Sequence, residues 1–531
     1  MKYCLTIYAN IAFFMYFCAL YCRFMDLSNP LHLIAAIVAA LGVAALLVLL
    51  IVFLFKPSAG RDRFRLAFLS LLGRRDRKNH VFLGISSSSR LMARSILAEW
   101  KAEKKKKDQG RILFVDLTGT FQPTLEHNLR EELGSHRISV FCGHLPQERE
   151  ARLADALGLP GLQVWLANKR TSLYLVSEKS KENSLLLSAA TDDTSIKAKI
   201  FCYESRPDGF DTLVASTASR VRMLNPHQMT FTNLKLYAPA LMPVHYVQKE
   251  PQGYVKQGLH ALIVGFGSIG QEAARFLYEY GSFVGKDYGR APMSIQVFDP
   301  RLDFILGQFL ESAPGLKGDD AFQWHREPAS SIAFWEAFEQ DPLINYVVVA
   351  VDEGPQNIQL GVSLLQAAAR SGRDLSHMLI LVRDWDGSKK TQHILDFYNA
   401  AYCPEGCKVL QRFGMAKDIW DTDVISGKRL KKAAKDLSKE ESWEERKERL
   451  SQAGPDQLKN RLELHRRQSE EIFGVLYAPT LHALAPEGEY LAAQEHLHWM
   501  NALIVMGYTN GPQNELLKRL PNLIPYPDLK K

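Results

Sequence analysis

Cysteine is scarce in this chain and shows no pairing pattern: seven in 531 residues, at Cys4, Cys18, Cys22, Cys142, Cys202, Cys403 and Cys407. An odd, scattered set with three members in the apolar N-terminus is no disulfide framework and fits a reducing compartment. Cys403-Pro-Glu-Gly-Cys407 could form half of a metal site, but no second Cys/His pair at ligand spacing accompanies it, so no metal is expected. A dominant charge sign is also missing. The 65 Lys+Arg only modestly exceed the 58 Asp+Glu, and much of that excess lies near the N-terminus. No nucleic-acid partner is expected without a basic, aromatic-lined groove. Nucleophile-elbow, HExxH and P-loop patterns are absent too, which removes the commonest hydrolase, metalloprotease and NTPase signatures.

What is present is length and apolar runs. With 47% hydrophobic residues the chain exceeds a single core and predicts several domains. No charged residue falls between Lys2 and Arg23, nor between Asp26 and Lys56. Each stretch meets the requirement of roughly 20 apolar residues for a bilayer span. The first, aromatic-rich and more polar, has a secretory signal peptide as its alternative. It lacks a small-x-small cleavage site, so residues 1–56 are expected to be a transmembrane helical hairpin.

Residues 57–78 form a basic juxtamembrane linker. Lys56, Arg61, Arg63, Arg65, Arg74, Arg75, Arg77 and Lys78 outweigh the lone Arg23 on the other side. The positive-inside rule then places everything after residue 56 in the cytoplasm, beneath an inner (cell) membrane crossed by two spans. Within the linker, "RFRLAFLSLLGRR" suits an interfacial helix or a plain linker helix. The loop between the spans, "MDLSNP", is too short for a re-entrant pore helix, and no T-V-G-Y-G-like filter occurs anywhere. The chain is not a self-contained potassium channel; the hairpin anchors, oligomerises, or makes a pore only by assembly.

Over 258–425, "HALIVGFGSIGQEAARFLYEYG" reads as buried strand, glycine turn and amphipathic helix, with Ala273, Ala274, Phe276 and Leu277 on the packing side. Gly265 allows the tight turn, Gly267 lets backbone approach a pyrophosphate, and Gly270 lets the helix pack on the strand; Ser268 and Ile269 lie between. The next strand, "MSIQVFDP", ends in Asp299, placed to bond ribose hydroxyls or simply to begin a turn with Pro300. Asp299 lies 29 positions after Gly270, beyond the usual separation of about 20, and the excess falls in the inserted loop "GSFVGKDYGRAP". A further strand, acidic turn and helix, "INYVVVAVDEGPQNIQLGVSLLQAAAR", precedes the strand "MLILVRDWD".

In that order, these elements resemble an RCK (TrkA-N) domain, the regulator module of potassium channels and transporters. The resemblance implies a Rossmann-like fold and a ligand site of Gly265, Gly267, Ser268, Ile269, Gly270, Asp299, Asp352, Glu353, Asn357 and Arg383. It implies NAD(H) or an adenine nucleotide as ligand, and assembly into a dimer or ring.

Residues 79–250 repeat the plan in degraded form. "HVFLGISSSSRLMARSILAEW" is strand, turn and helix, and "RILFVDLTG" ends a second strand in Asp116. Later strands are expected in "ISVFCG", "SLYLVS" and "FDTLVAST", and "RVRMLNPHQMTFTNLKLYAPALMPVHYV" closes the unit. Ser86 to Ser89 replace the phosphate-turn glycines. That leaves two readings: a structural copy without ligand, or a second anion site built on serine hydroxyls and helix N–H groups. "KAEKKKKDQG" is a solvated charge run, with attraction to anionic lipid as its alternative.

Residues 427–468 mix both charge signs with few apolar positions, as a solvated helical connector does. Residues 470–531 include "EYLAAQEHLHWMNALIVMGYTNGP" and resemble a RyR domain, the small helical repeat of ryanodine receptors. On that resemblance Glu495, His496, Trp499 and Tyr508 form a second candidate ligand site, with Trp499 and Tyr508 equally suited to the module's core. His496 and His498 fall on different helix faces and make a poor metal pair.

The expected fold class is α/β: two tandem Rossmann-like doubly wound parallel sheets, two transmembrane helices before them and a small all-α module after. The expected function is a membrane-anchored, non-enzymatic nucleotide sensor tied to potassium transport, with a potassium channel or transporter subunit as partner. The alternatives are a nucleotide-responsive membrane effector of a bacterial stress or defence pathway and, less favoured, an NAD-dependent oxidoreductase. No domain suited to hold an acid/base group beside a nicotinamide follows the second unit.

Overall fold

The computed structural model describes residues 77–103, 109–120, 122, 124–146, 152–204, 221–351, 354–427 and 457–529, with Gly42, Arg65, Leu66 and Leu69. The expected membrane hairpin, the lysine run 104–107, the strand expected at "FDTLVAST", most of the connector, and Asp352 with Glu353 lie outside these residues. Among the described residues no helix is long and apolar enough to cross a membrane.

The first unit runs β1 (Lys78–Leu83), α1 (Ser87–Ala102), β2 (Gln109–Asp116), α2 (Leu125–Leu133), β3 (Ile138–Cys142), β4 (Thr171–Leu175), α3 (Ser180–Asp192), β5 (Lys199–Tyr203), β6 (Val221–Leu224) and α4 (Pro226–Tyr237). A two-stranded hairpin, β7 (Gln248–Lys249) and β8 (Val255–Gln257), leads to the second unit. That unit runs β9 (His260–Val264), α5 (Ser268–Tyr280), β10 (Ser294–Phe298), α6 (Leu302–Ser312), β11 (Phe322–His325), α7 (Ile332–Gln340), β12 (Tyr346–Val349), α8 (Gly354–Arg370), β13 (Leu379–Arg383), α9 (Lys389–Tyr402), β14 (Leu410–Phe413), α10 (Ala416–Ile419) and α11 (Thr422–Ser426).

Both sheets are six-stranded and parallel, in the orders β3-β2-β1-β4-β5-β6 and β11-β10-β9-β12-β13-β14. Strand order thus reverses between β1 and β4 and between β9 and β12, the doubly wound Rossmann arrangement, whose crevice opens at the carboxyl ends of those strands. Helices cover both faces, so central strands such as "YVVV" of β12 are buried throughout and carry no alternation.

The units exchange their closing helices. α4, which follows the sixth strand of the first unit, packs Phe231 and Leu234 into the core that contains Phe276 and Leu277 of α5. In return Ala416, Ile419, Trp420, Val424 and Ile425, after the sixth strand of the second unit, enter the core of α1 with Met92, Ile96 and Trp100. Arg222 Nη2 donates to the Val424 carbonyl at 3.1 Å and Asn233 Nδ2 to the Asp418 carbonyl at 3.1 Å. Neither core is complete without the other unit.

The remaining residues form α12 (Gln457–Leu484), α13 (Glu489–Val505), the short strands β15 (Thr509–Asn510) and β16 (Arg519–Leu520), and α14 (Tyr526–Leu529). α12 runs without a break through the boundary expected between connector and C-terminal module. α13 lies against the carboxyl end of α5, and the inserted loop before β10 receives it. Gln494 accepts from the Val284 N–H (2.9 Å) and donates to the Ser282 carbonyl (3.2 Å), while Tyr288 stacks on Tyr490 at 4.7 Å. The extra spacing between Gly270 and Asp299 is thus the seat of the C-terminal module.

Candidate functional site

The second unit's crevice is built by its glycine turn. Gly265 ends β9 at φ +90°, and a Cβ there would stand 2.6 Å from the Ala350 carbonyl oxygen, so only glycine fits between the two strands. A Cβ on Gly270 would lie 2.0 Å from the Gly265 carbonyl oxygen, which lets α5 settle directly on the turn. Gly267 is different. It is the N-cap of α5 at φ −61°, ψ −171°, an extended conformation open to any residue, and it offers no side-chain cap. The N–H groups of Ser268, Ile269 and Gly270 find no acceptor among the described residues. Unsatisfied N–H groups at the positive end of a helix dipole form an anion site.

Asp299, 2% exposed, braces this turn from below: Oδ2 accepts from Phe266 N–H and Oδ1 from Arg301 N–H, each at 2.7 Å. Oδ1 also faces Arg301 Nε at 3.5 Å, while Oδ2 keeps a further lone pair. Asn357 is 1% exposed and serves the backbone entirely. Its Oδ1 accepts from Val351 N–H (2.8 Å), and its Nδ2 donates to the carbonyls of Val351 and Arg383 (both 3.2 Å), tying the amino end of α8 to the carboxyl ends of β12 and β13. Arg383 contributes that carbonyl and sets its guanidinium 5.8 Å from the Trp385 ring centre. The amino end of α4, from the other unit, faces the same place: burial, and then the Arg383 charge, push His227 down to about 4. Gly265, Gly267, Ser268, Ile269, Gly270, Asp299, Asn357 and Arg383 thus converge on one crevice.

The first unit repeats this framework atom for atom at three points. Gly84, at φ +102°, would set a Cβ 2.9 Å from Ser177 N, as Gly265 does against β12, and its N–H donates to Val115 O as Gly265's does to Phe298 O. Asp116 Oδ1 accepts from Thr118 N–H, two residues on, as Asp299 does from Arg301. Asn183 Oδ1 accepts from Ser177 N–H (2.8 Å), and its Nδ2 donates to Ser177 O (2.8 Å) and Tyr203 O (3.1 Å), reproducing Asn357. Asn183 went unnoticed in the sequence. Its signal was positional: it lies six residues beyond the strand-end Ser177, as Asn357 lies six beyond Val351.

The two turns differ at the phosphate position. In the first unit Ser86 Oγ accepts from Ser89 N–H at 3.1 Å and donates to the Val176 carbonyl at 2.9 Å, while Ser89 Oγ accepts from Ser86 N–H at 2.8 Å. This reciprocal capping box uses up donors that an incoming anion would need. The serine turn takes its third helix N–H with its own side chain; the glycine turn leaves that N–H without an acceptor among the described residues.

Of the candidates in the C-terminal module, Tyr508, Trp499 and His496 bond within it, and among the described residues Glu495 does not. Tyr508, 3% exposed, donates to Glu515 Oε2 (3.1 Å), and Trp499 Nε1 donates to Glu470 Oε1 (3.1 Å). Arg466 joins both carboxylates, at 3.0 Å to Glu515 and 2.7 Å to Glu470. His496 Nε2 donates to the Ile524 carbonyl at 2.8 Å, and Glu495 is exposed. His498 points the other way, toward α5: it stacks on Tyr477 at 3.6 Å, and burial holds it down to about 3. Nearby, the buried Glu279 of α5 pairs with Lys235 of α4 at 3.0 Å, and burial raises its carboxyl above the ordinary range.

Fold and site together define a tandem Rossmann protein with one open and one self-capped glycine-type turn. No protein-family model matches the chain, and no curated protein does. Solved structures do show similarity. A crystal structure of GsuK bound to ADP matches with a TM-score of 0.38 and 14% identity, over 67% of this chain and 71% of that one. A structure of the GsuK channel matches with a TM-score of 0.38 and 15% identity, over 66% and 70%. At that level of similarity, fold and site stand on the chain's own topology and contacts.

Proposed function

We propose that the chain is a regulatory nucleotide sensor whose second Rossmann unit holds an adenine nucleotide, NAD(H) or ADP-like, with its phosphates on the amino end of α5. The carrying observation is the contrast between the two turns: the frameworks match at three points, but the third helix N–H is taken by a side chain in the first unit (Ser89, by Ser86 Oγ) and finds no acceptor among the described residues in the second (Gly270). Asp299 would offer Oδ2 to ribose hydroxyls, and the resemblance to RCK domains adds Asp352 and Glu353 as ligand residues. The first unit is a structural partner that binds no nucleotide.

The protein is regulatory rather than enzymatic in this reading. The packing of the domain after the second unit on the carboxyl end of α5, at the opposite end of the sheet from the crevice, supports this reading, because it sets that domain away from a bound nicotinamide. What adjoins the crevice is the amino end of α4. A ligand that favours one arrangement of α4 against α5 would shift the relation of the two units. With the apolar runs of 1–56 as an inner-membrane anchor and the soluble domains cytoplasmic, that shift would reach the bilayer. The resemblance to RCK domains suggests potassium transport as the regulated process, with a channel or transporter subunit and further copies of the chain as partners.

Isothermal titration of the purified full chain with ADP, ATP, NAD and NADH tests the proposal. At least one is expected to bind at a single site per chain and to be recovered chemically unchanged. No binding by any of them, or turnover of the bound nucleotide, would sink it.

A further inference from the structure

The end of the first sheet remote from its crevice carries a row of arginines. Arg77 precedes β1, Arg111 lies at the start of β2, and Arg137 immediately precedes β3; these three strands are neighbours in the sheet. The row is built into the backbone. Arg137 Nη1 donates to the Gln109 carbonyl at 3.0 Å, Arg111 N–H to Asn79 Oδ1 at 3.0 Å, and Asn79 Nδ2 to the Arg77 carbonyl at 3.2 Å.

Behind the row lie Arg130 and Arg65. Both pair with Glu126, Arg130 at 2.7 Å, so that carboxylate is already shared between two guanidinium groups. Among the described residues no carboxylate lies within ion-pair distance of Arg77, Arg111 or Arg137, and Arg77 Nε is buried without a hydrogen-bond partner there. Arg111 is held below its ordinary range by burial and then by the charges of Arg130, Arg65, Arg137 and Arg77. Like charges gathered without a counterion destabilise the fold unless an anion joins them. Lys78 adds no excess, since it pairs with Glu103 at 3.0 Å.

The row also has a definite position along the chain. Arg65, Leu66 and Leu69 are fully buried against this unit, Arg65 donating to the Val140 carbonyl and lying 5.1 Å from the Phe141 ring centre. The apolar run ends at Phe55, ten residues earlier, a reach of at most about 35 Å. We infer that Arg77, Arg111 and Arg137 form a docking surface for the phosphate headgroups of anionic phospholipids, holding the first unit against the bilayer; this rests on the membrane-anchor reading above. Phosphate diesters suit the row because guanidinium groups bind phosphate oxygens in pairs, and one headgroup can bridge neighbouring strands.

The full chain in neutral detergent is titrated with short-chain phosphatidylglycerol, short-chain phosphatidylcholine and inorganic phosphate, followed by thermal midpoint. Phosphatidylglycerol is expected to raise the midpoint, less so as ionic strength rises, and the other two are expected to leave it unmoved. Replacing Arg111→Gln and Arg137→Gln together should weaken phosphatidylglycerol about 25-fold, near five-fold for each arginine. The salt dependence tests the site even where the double variant fails to fold. An equal response to phosphatidylcholine, an equal response to inorganic phosphate, or a salt-independent shift overturns the proposal. Alkaline washing of native membranes separates the two readings. A chain that washes off yet selects phosphatidylglycerol keeps the lipid site and loses the anchor; one that stays yet ignores lipid charge keeps the anchor and loses the site.

Discussion

Replacing Gly267 with serine should convert the open turn into the closed one. The backbone at φ −61°, ψ −171° accepts the side chain without strain, and the first unit shows where its hydroxyl goes: Ser86 Oγ takes the N–H of Ser89 at 3.1 Å. The equivalent donor in the second unit is Gly270 N–H, which a phosphate would otherwise use. A charge-assisted hydrogen bond of this kind contributes about 1.5–3 kcal/mol, so the variant should bind nucleotide roughly 10- to 150-fold more weakly. Fold stability should rise by only a few tenths of a kcal/mol, because glycine and serine differ little as N-caps. Titration calorimetry of the full chain with whichever nucleotide the wild type binds, beside its thermal midpoint without ligand, reads both quantities. Wild-type affinity in the Gly267→Ser chain would refute the claim that the α5 amino end holds the phosphates. A large drop in the ligand-free midpoint would refute the structural comparison of the two turns.

Asn183→Leu and Asn357→Leu should each cost about 2–4 kcal/mol in urea unfolding, since each strands a buried N–H and carbonyls at a strand end; equal losses would identify the first unit as an intact scaffold. Lys235→Met leaves Glu279 buried and unpaired and should cost about 3–5 kcal/mol. Adding Glu279→Leu should recover most of that loss, and a double variant no better than the single would argue against the pair. Stability should fall on acidification. His227 in the fold is held down to about 4 and His498 to about 3, both below the ordinary 6.5, so the unfolded chain binds more protons at intermediate pH. Their contribution is complete above pH 6.5 and is lost as pH falls through 6.5 toward those folded values. His227 alone should cost about 2 kcal/mol by about pH 5. The raised Glu279 works in the opposite sense, as pH falls through its raised folded value toward the ordinary carboxylate range. A His227→Gln chain should flatten the pH dependence of the urea midpoint, and an unchanged slope would refute its burial as the cause.

Much of the second unit was legible in the sequence. "HALIV", "YVVV" and "LILVR" are apolar runs that only a doubly covered parallel strand tolerates, and Gly265 and Gly270 sit where a side chain would strike backbone. β11 ("FQWH") and β14 ("LQRF") escaped notice, being four-residue strands toward the sheet margins with partly exposed faces. β5 ("KIFCY") escaped likewise, although its interior is buried.

The candidate site divides the same way. The positions of the glycines and of Asp299 follow from local spacing, because each meets a partner fixed by the strand–turn–helix unit itself. That Asn357 serves backbone rather than ligand, and that Ser86 and Ser89 close their own turn, depends on which atoms the fold brings within hydrogen-bonding distance. The helix exchange, the seating of α13 in the loop before β10, and the arginine row are further removed from sequence. Each joins residues tens to hundreds of positions apart. Periodicity and turn chemistry act over a few residues and so fixed the two Rossmann units; contacts between units depend on complementary shape and charge, which exist only once both units have folded.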